Sequence, residues 1–398
     1  MKTYDMLIVG GGISGLSMAH YALRSNWRSA VLEATPEVGG LLHTTHFEKT
    51  DFWLELGGHS LFNSYRHLLG ILKDVEQLEQ VQKKTGLSFQ LWQQNMLSSI
   101  PSQLSFPRLL LNIPKLFITR KNGLSVAQYY RKVVGDYNYE HVFRHAFNAV
   151  ISQPADAFPA DLLFRKKPRD KTQPRSMILT QGLQSIAEAI IGQNNFECLT
   201  GTEIKAITYQ EGLFELTDQQ NKKYYSRTLT LATPVATTVS LLKTAFPQLC
   251  ESLQHIPSAN IQSLGVLVDA SAVSLKPVGG IIATDAAFYS VVSRDPLPNE
   301  RYRGFTFHFK PQIDEKTRIN TVCKVLNITP EQILQQKTRY SSLPSLGAGH
   351  HQNLAHLQKN LDSLPLALTG NYFYGLSIED CVSRSMMEYQ RLQTFLDN

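Results

Sequence analysis

Residues 7–21, LIVGGGISGLSMAHY, place G-x-G-x-x-G at Gly10, Gly12 and Gly15 directly behind an apolar run. Tyr4 to Val9 is a short, mainly apolar run that reads as a buried strand, and Leu16, Ala19, His20 and Leu23 then recur at helical spacing. Strand, glycine turn and helix in that order predict the opening of a doubly wound α/β domain. Gly10 permits the sharp turn. Gly12 lets a pyrophosphate come up to the backbone, and Gly15 lets the helix pack close to the strand. Ile13 and Ser14 head that helix, whose first N–H groups are unpaired and carry a partial positive charge suited to phosphate. A second strand, Ser29 to Glu33, ends in an acid near the ~20-residue spacing at which a carboxylate meets a ribose 2′-hydroxyl.

The stretches that follow narrow the ligand. Gly39-Gly40 comes soon after the acid, and FWLELGGHSLF at 52–62 runs an apolar strand into Gly57-Gly58. A nicotinamide domain does not account for this ordered set. A flavin domain does, because a long cofactor threads past several backbone segments that approach it without side chains. FAD is therefore the expected cofactor.

Length and composition bound the rest. A chain of 398 residues, 42% apolar and 18% charged, can bury a large core and fits a folded enzyme rather than a disordered chain. Lys and Arg number 39 against 33 Asp and Glu, a balance of +6 that suits an anionic substrate or an anionic membrane surface. These charges are too dispersed for nucleic acid. The densest run, Arg165 to Lys171, reads as a solvated loop. Cys198, Cys250, Cys323 and Cys381 lack metal-ligand or C-x-x-C spacing, so no metal is expected and the thiols read as reduced. With the chain opening straight into its first strand, a cytoplasmic location is expected, peripheral to a membrane if the next segment touches one. That segment, FPRLLLNIPKLFITRKNG at 106–123, admits three readings: a shallow membrane contact, the wall of an apolar tunnel, or a buried core segment.

Helical spacing dominates Leu124 to Ser152, with a break near Gly135-Asp136, and a helix is expected over Gln181 to Ile191. Strand patterns follow around 197–218, 224–234, 263–271 and 302–310. Near the end, Leu366 to Thr369 meets Gly370 and Gly375, and a helix begins at about Ser377 with Glu379 and Asp380 in its first turn. This second strand-glycine-helix unit predicts a mixed α/β chain. Its Rossmann-like FAD domain is assembled from segments 1–65, 177–240 and 340–398. A substrate domain is inserted as helices at 66–176 and antiparallel sheet at 241–339.

The set VGGGISGL, LEATPEVGG, ELGGH, LATP and LTGNYFYGLSIEDC resembles the flavin-containing amine oxidase superfamily. Within it, residues 133–161, 178–190 and 339–381 are most similar to the protoporphyrinogen oxidase branch. The resemblance implies that Gly10, Gly12, Ile13, Ser14 and Gly15 line the pyrophosphate and that Glu33 binds the adenosine ribose. It places Gly40 and Leu41 along the cofactor, Gly57 and Gly58 beside the flavin ring, and the Ile204 backbone at the adenine. Gly370 would approach the phosphates, and Ile378 would face the flavin pyrimidine from a helix N-terminus. The sequence departs from the family at Leu41, where arginine is usual, and at Gly57-Gly58-His59, where Gly-Pro is common.

The implied reaction removes hydride from a substrate C–H bond to the flavin, with reoxidation by oxygen or another acceptor. His59 is the titratable candidate beside the flavin, either as proton acceptor or as structural histidine. Arg108 is a candidate for a substrate carboxylate or a surface residue. Tyr372 and Tyr374 either wall the pocket or pack the core. The expected partner is a small molecule, an anionic tetrapyrrole in the leading reading. An amine, a polyene or a sugar nucleotide rearranged by a flavin mutase are the alternatives.

Overall fold

In the computed structural model, which describes residues 2–193, 195–284 and 286–396, the Thr3–Val9 strand lies at the centre of a parallel sheet. The order runs Glu197–Leu199, Ser29–Leu32, Thr3–Val9, Lys223–Leu231 and Leu366–Leu368, with all these pairs parallel. Strands close in space thus come from the beginning, middle and end of the chain. The Lys223–Leu231 strand changes partner along one edge. Its first half pairs antiparallel with Leu213–Asp218, and its second half pairs with Leu366–Leu368.

Both faces of this sheet are covered, which is why its strands read as continuous apolar runs. Leu7, Val9, Leu32, Leu229, Leu231, Leu366 and Leu368 point into one buried cluster. Met6, Ile8, Val31 and Ala367 point into another, where the Ile13–Arg24 helix packs beside the Ile378–Leu396 helix. Ser385 Oγ donates to Ser14 O over 2.9 Å, and the Tyr389 ring packs at a tilt against Tyr21 and Trp27. The two strand-glycine-helix units therefore lie side by side.

A second sheet runs Ile333–Pro344, Ser258–Asp269, Tyr302–Phe309, Phe288–Ser293, Gly280–Ala283, Phe89–Gln93 and Met96–Ser99. It is antiparallel except where Gly280–Ala283 meets Phe89–Gln93. The helical stretch around 124–152 breaks at Gly135, whose φ of 81° needs a residue without Cβ. The expected helix near 181–191 forms over Ser185–Gly192.

One reading of the 106–123 segment is corrected. It is not core: Phe106–Ile118 forms a helix with no buried residue. Its apolar spacing is indistinguishable from that of a core helix, and only its position on the outside of the fold decides.

A glycine cradle and a polar sheet wall

The turn after the first strand holds Gly10 at φ 107°, where a Cβ would come within 2.6 Å of Ala232 O. A Cβ on Gly15 would overlap Gly10 O. Gly12 caps the Ile13–Arg24 helix with no side-chain hydrogen bond and no acid in the first turn, leaving its leading N–H groups free of a side-chain cap. A Cβ on Gly12 would meet only Gly39 and Gly40 backbone within 4 Å. Gly39 N–H donates to Gly11 O over 2.9 Å, so the two glycine loops form a single bare-backbone cradle. At its edge, Glu33 Oε2 accepts from Gly11 N–H over 2.6 Å and Oε1 from Thr35 N–H over 2.9 Å. Thr202 N–H donates to Glu33 O over 2.8 Å, which brings Ile204, two residues on, to the same end. Thr35 Oγ1 also donates to Oε1 over 2.7 Å, so Glu33 keeps an open acceptor site on Oε2. A bare cradle at an uncapped helix start with that acceptor beside it fits the pyrophosphate and ribose of FAD.

Gly57 and Gly58 close on the same loop. Gly58 N–H donates to Leu41 O over 2.9 Å, and a Cβ on Gly57 would overlap that carbonyl. A Cβ on Gly58 would lie 3.6 Å from Ile378 Cδ1. Ile378 opens the C-terminal helix, beyond Gly370, whose φ of 152° turns the chain over the Tyr372 ring. The first-turn acids are tied down locally. Glu379 accepts from His67 and Leu68 N–H groups, and burial pushes it up to about 7. Asp380 pairs with Lys167 at 2.8 Å and accepts from Ser377.

One face of the antiparallel sheet turns toward these loops, since Cβ atoms on Gly265 and Gly304 would press on Leu54 and Leu56. Residues two positions away share that face. Across it, Arg339 aligns with Ser263, Ser263 with His308, and His308 with Ser290. Arg339 Nη2 donates to Gly40 O over 2.7 Å. Ser263 Oγ and His308 Nδ1 are 2.9 Å apart, and the His308 and His59 rings lie 6.4 Å apart. This polar row therefore touches the Gly40 loop at Arg339 and the Gly58 loop at His308. Arg339 Nε and Ser341 Oγ are buried without a hydrogen-bond partner among the described residues. Orphaned buried donors need an explanation, and a bound ligand is one.

A small cleft beside His59 is lined by Trp53, Glu55, Lys84, Arg294 and Thr306. Burial, with Lys84 and His308 nearby, pushes His59 down to about 3, so its imidazole is neutral at pH 7. A base so weak is a poor proton acceptor at that pH. Lys84 donates to Ser60 Oγ and His59 O, and burial lowers it to about 8. Arg294 stacks over Trp53 at 4.2 Å. Glu55 is pushed up to about 7 by burial, although Leu183 N–H and Thr44 Oγ1 both donate to it.

The remaining candidates lie elsewhere. Arg108 is on the exposed Phe106–Ile118 helix, its guanidinium 4.7 Å from the Tyr137 ring centroid, and makes none of the contacts that join the glycine loops. Tyr372 takes the core-packing alternative, since it is wholly buried and a pocket wall needs exposed surface. Tyr374 is half-buried against the same core, near Arg384. Sequence reasoning missed Arg339, Ser263, His308, Lys84 and Arg294. No motif marks them, because sheet register and loop packing bring them in.

The family model for flavin-containing amine oxidoreductases matches residues 13–236. A flavin-containing amine oxidase of Danio rerio is 40% identical over 72 residues, which are 18% of this chain and 14% of that protein. The match thus spans a minor part of that curated relative. A proposed protoporphyrinogen oxidase from Exiguobacterium sp. 255-15 superposes over 100% of both chains with a TM-score of 0.82 at 17% identity. A double mutant of putrescine oxidase superposes over 100% of this chain and 99% of its own, with a TM-score of 0.76 at 12% identity. These two structures share the fold.

Proposed function

Because the chain belongs to the flavin-containing amine oxidoreductase family, we propose that it is an FAD-dependent oxidoreductase that dehydrogenates a C–H bond of an anionic substrate, as a protoporphyrinogen oxidase does. Bound FAD would supply the hydride-accepting chemistry, with oxygen or another acceptor as the final oxidant. The protein's own residues bind, orient and shield. The facing Gly12 and Gly40 backbones and the helix start behind them take the pyrophosphate, and Glu33 takes the ribose. Gly57, Gly58 and Ile378 bound the ring end, and the buried surface of Leu42 and Leu183 beside them keeps water out. In this reading the parallel sheet is the cofactor part of the chain and the antiparallel sheet the substrate part.

The observation that carries the substrate class is the charge of the wall. Arg339, Lys84 and Arg294 stand around the loops at Gly40 and His59. Of the nearby carboxylates, Glu55 faces Lys84 and Arg294 but is pushed up to about 7 by burial, so it offsets these two cations only in part, and Glu37 faces solvent. Desolvated cations attract a carboxylate and repel a protonated amine. This favours an anionic tetrapyrrole over the amines that the putrescine oxidase fold serves in its own protein.

The test is anaerobic mixing of the yellow holoprotein with protoporphyrinogen IX and, separately, with putrescine. Bleaching of the flavin band by the porphyrinogen alone supports the reading. Bleaching by the amine alone overturns the substrate class, and a protein that takes up no FAD overturns the cofactor site.

A further inference from the structure

The Phe106–Ile118 helix carries seven of the seventeen exposed large hydrophobic residues among the described residues. Leu110 is 63% exposed, Leu111 78%, Phe117 82% and Ile118 78%, with Phe106, Ile113 and Leu116 also open to solvent. At about 100° per residue, Phe106, Leu110, Ile113 and Phe117 fall on one stripe about 60° wide, and Leu111 and Ile118 lie roughly 100° further round, so the exposed apolar arc spans about 160°. The protein-facing side begins next to Ile113: Leu109 packs on the core, and Asn112 lies against Gly135. Seven large apolar residues thus point outward, while Leu109 and Asn112 turn inward, which is not the pattern of a helix that supports a core.

Charge identifies the occupant. From residue 80 to residue 135 the chain has no acid, and Arg108, Lys115, Arg120 and Lys121 lie on or just after the helix. Arg108 and Lys115 project about 50° beyond Leu111, at the margin of the apolar arc. The next acid, Asp136, is paired with Arg131. A second copy docked here would bring two like-charged margins together. An anionic bilayer instead offers acyl chains to the stripe and headgroup charge to its margin. At 13 residues the helix is far short of the ~20 that span a bilayer, and among the described residues no helix is long and apolar enough to cross one.

We propose that this helix docks the protein on an anionic lipid bilayer, lying flat with Leu110, Leu111, Phe117 and Ile118 among the acyl chains and Arg108, Lys115 and Arg120 at the headgroups. The proposal does not depend on the substrate reading.

The experiment is flotation of the whole holoprotein with vesicles of phosphatidylcholine alone or mixed with phosphatidylglycerol, at low and high salt. Co-flotation is expected with the mixed vesicles, at least about tenfold stronger than with phosphatidylcholine alone and weakened by salt. Leu111→Glu with Phe117→Glu should abolish flotation and leave the flavin spectrum unchanged, because neither side chain is buried. Lys115→Ser with Arg120→Ser should remove the preference for the anionic lipid. Absence of flotation with the mixed vesicles overturns the proposal. So does a Leu111→Glu/Phe117→Glu protein that floats like the parent. A parent that is dimeric and does not float, converted to monomer by that double substitution, overturns it in favour of a second copy.

Discussion

The backbone N–H of Gly11 donates to Oε2 of Glu33 over 2.6 Å, so the glycine turn and the acid ending the second strand form one hydrogen-bonded unit. The carboxylate that would meet the ribose therefore also holds the phosphate turn in shape. Hydrogen bonds to a charged group are worth about 1.5–3 kcal/mol. Glu33→Ala should weaken FAD binding by about ten- to a hundredfold. Titration of apoprotein with FAD, followed by flavin fluorescence, measures this, and an unchanged affinity would remove Glu33 from the site.

Two glycine substitutions should behave oppositely. A Cβ on Gly57 would overlap Leu41 O, whereas one on Gly70, inside the Arg66–Asp74 helix, meets nothing within 4 Å. Gly57→Ala should destabilise by about 1–3 kcal/mol and lower flavin content, as overpacking does. Gly70→Ala should stabilise by about 0.5–1 kcal/mol, chiefly by restricting the unfolded chain. Thermal unfolding with a flavin absorbance readout separates them, and like-signed shifts in the melting midpoint would contradict the packing argument.

Acid and base groups in the interior predict opposite pH slopes. Burial pushes His308 down to about 4, so below pH 6.5 the unfolded chain takes up a proton that the folded chain refuses. Its contribution is present above pH 6.5 and is lost as pH falls toward 4. Burial pushes Glu55 up to about 7, so the folded chain holds a proton that the unfolded chain releases above about 4.5. Its contribution is present below 4.5 and is lost as pH rises through 7. Relative to the parent, His308→Asn should lose less stability between pH 6.5 and 4. Glu55→Gln should lose less between pH 4.5 and 7. Urea unfolding across that range checks both signs.

Arg339 joins the sheet wall to the Gly40 loop through Gly40 O. If its guanidinium also receives a substrate carboxylate, Arg339→Met should lower kcat/KM for an anionic substrate by about ten- to a hundredfold. Arg339→Lys should recover part of that loss, because charge returns without the planar fork. The loss should lie in KM, with flavin content retained. A fall confined to flavin content would place Arg339 with the cofactor alone.

Local chemistry determined what the sequence discloses here. Residues 4–33 show their strand, turn, helix and acid because each depends on neighbours a few positions away: apolar runs for strands, missing Cβ atoms for the turn, helical spacing after it. Gly370 and the helix from Ile378 were legible for the same reason, and with them the mixed α/β class. Tertiary structure decided the rest. Arg339, Ser263, His308 and Ser290 form a row only because three strand pairings hold one register, and antiparallel pairing between distant segments leaves no mark at any one position. The Phe106–Ile118 helix carries apolar residues at the spacing of a core helix. The solvent exposure of its stripe follows from what packs on its other side, a matter of three-dimensional contact that periodicity does not encode.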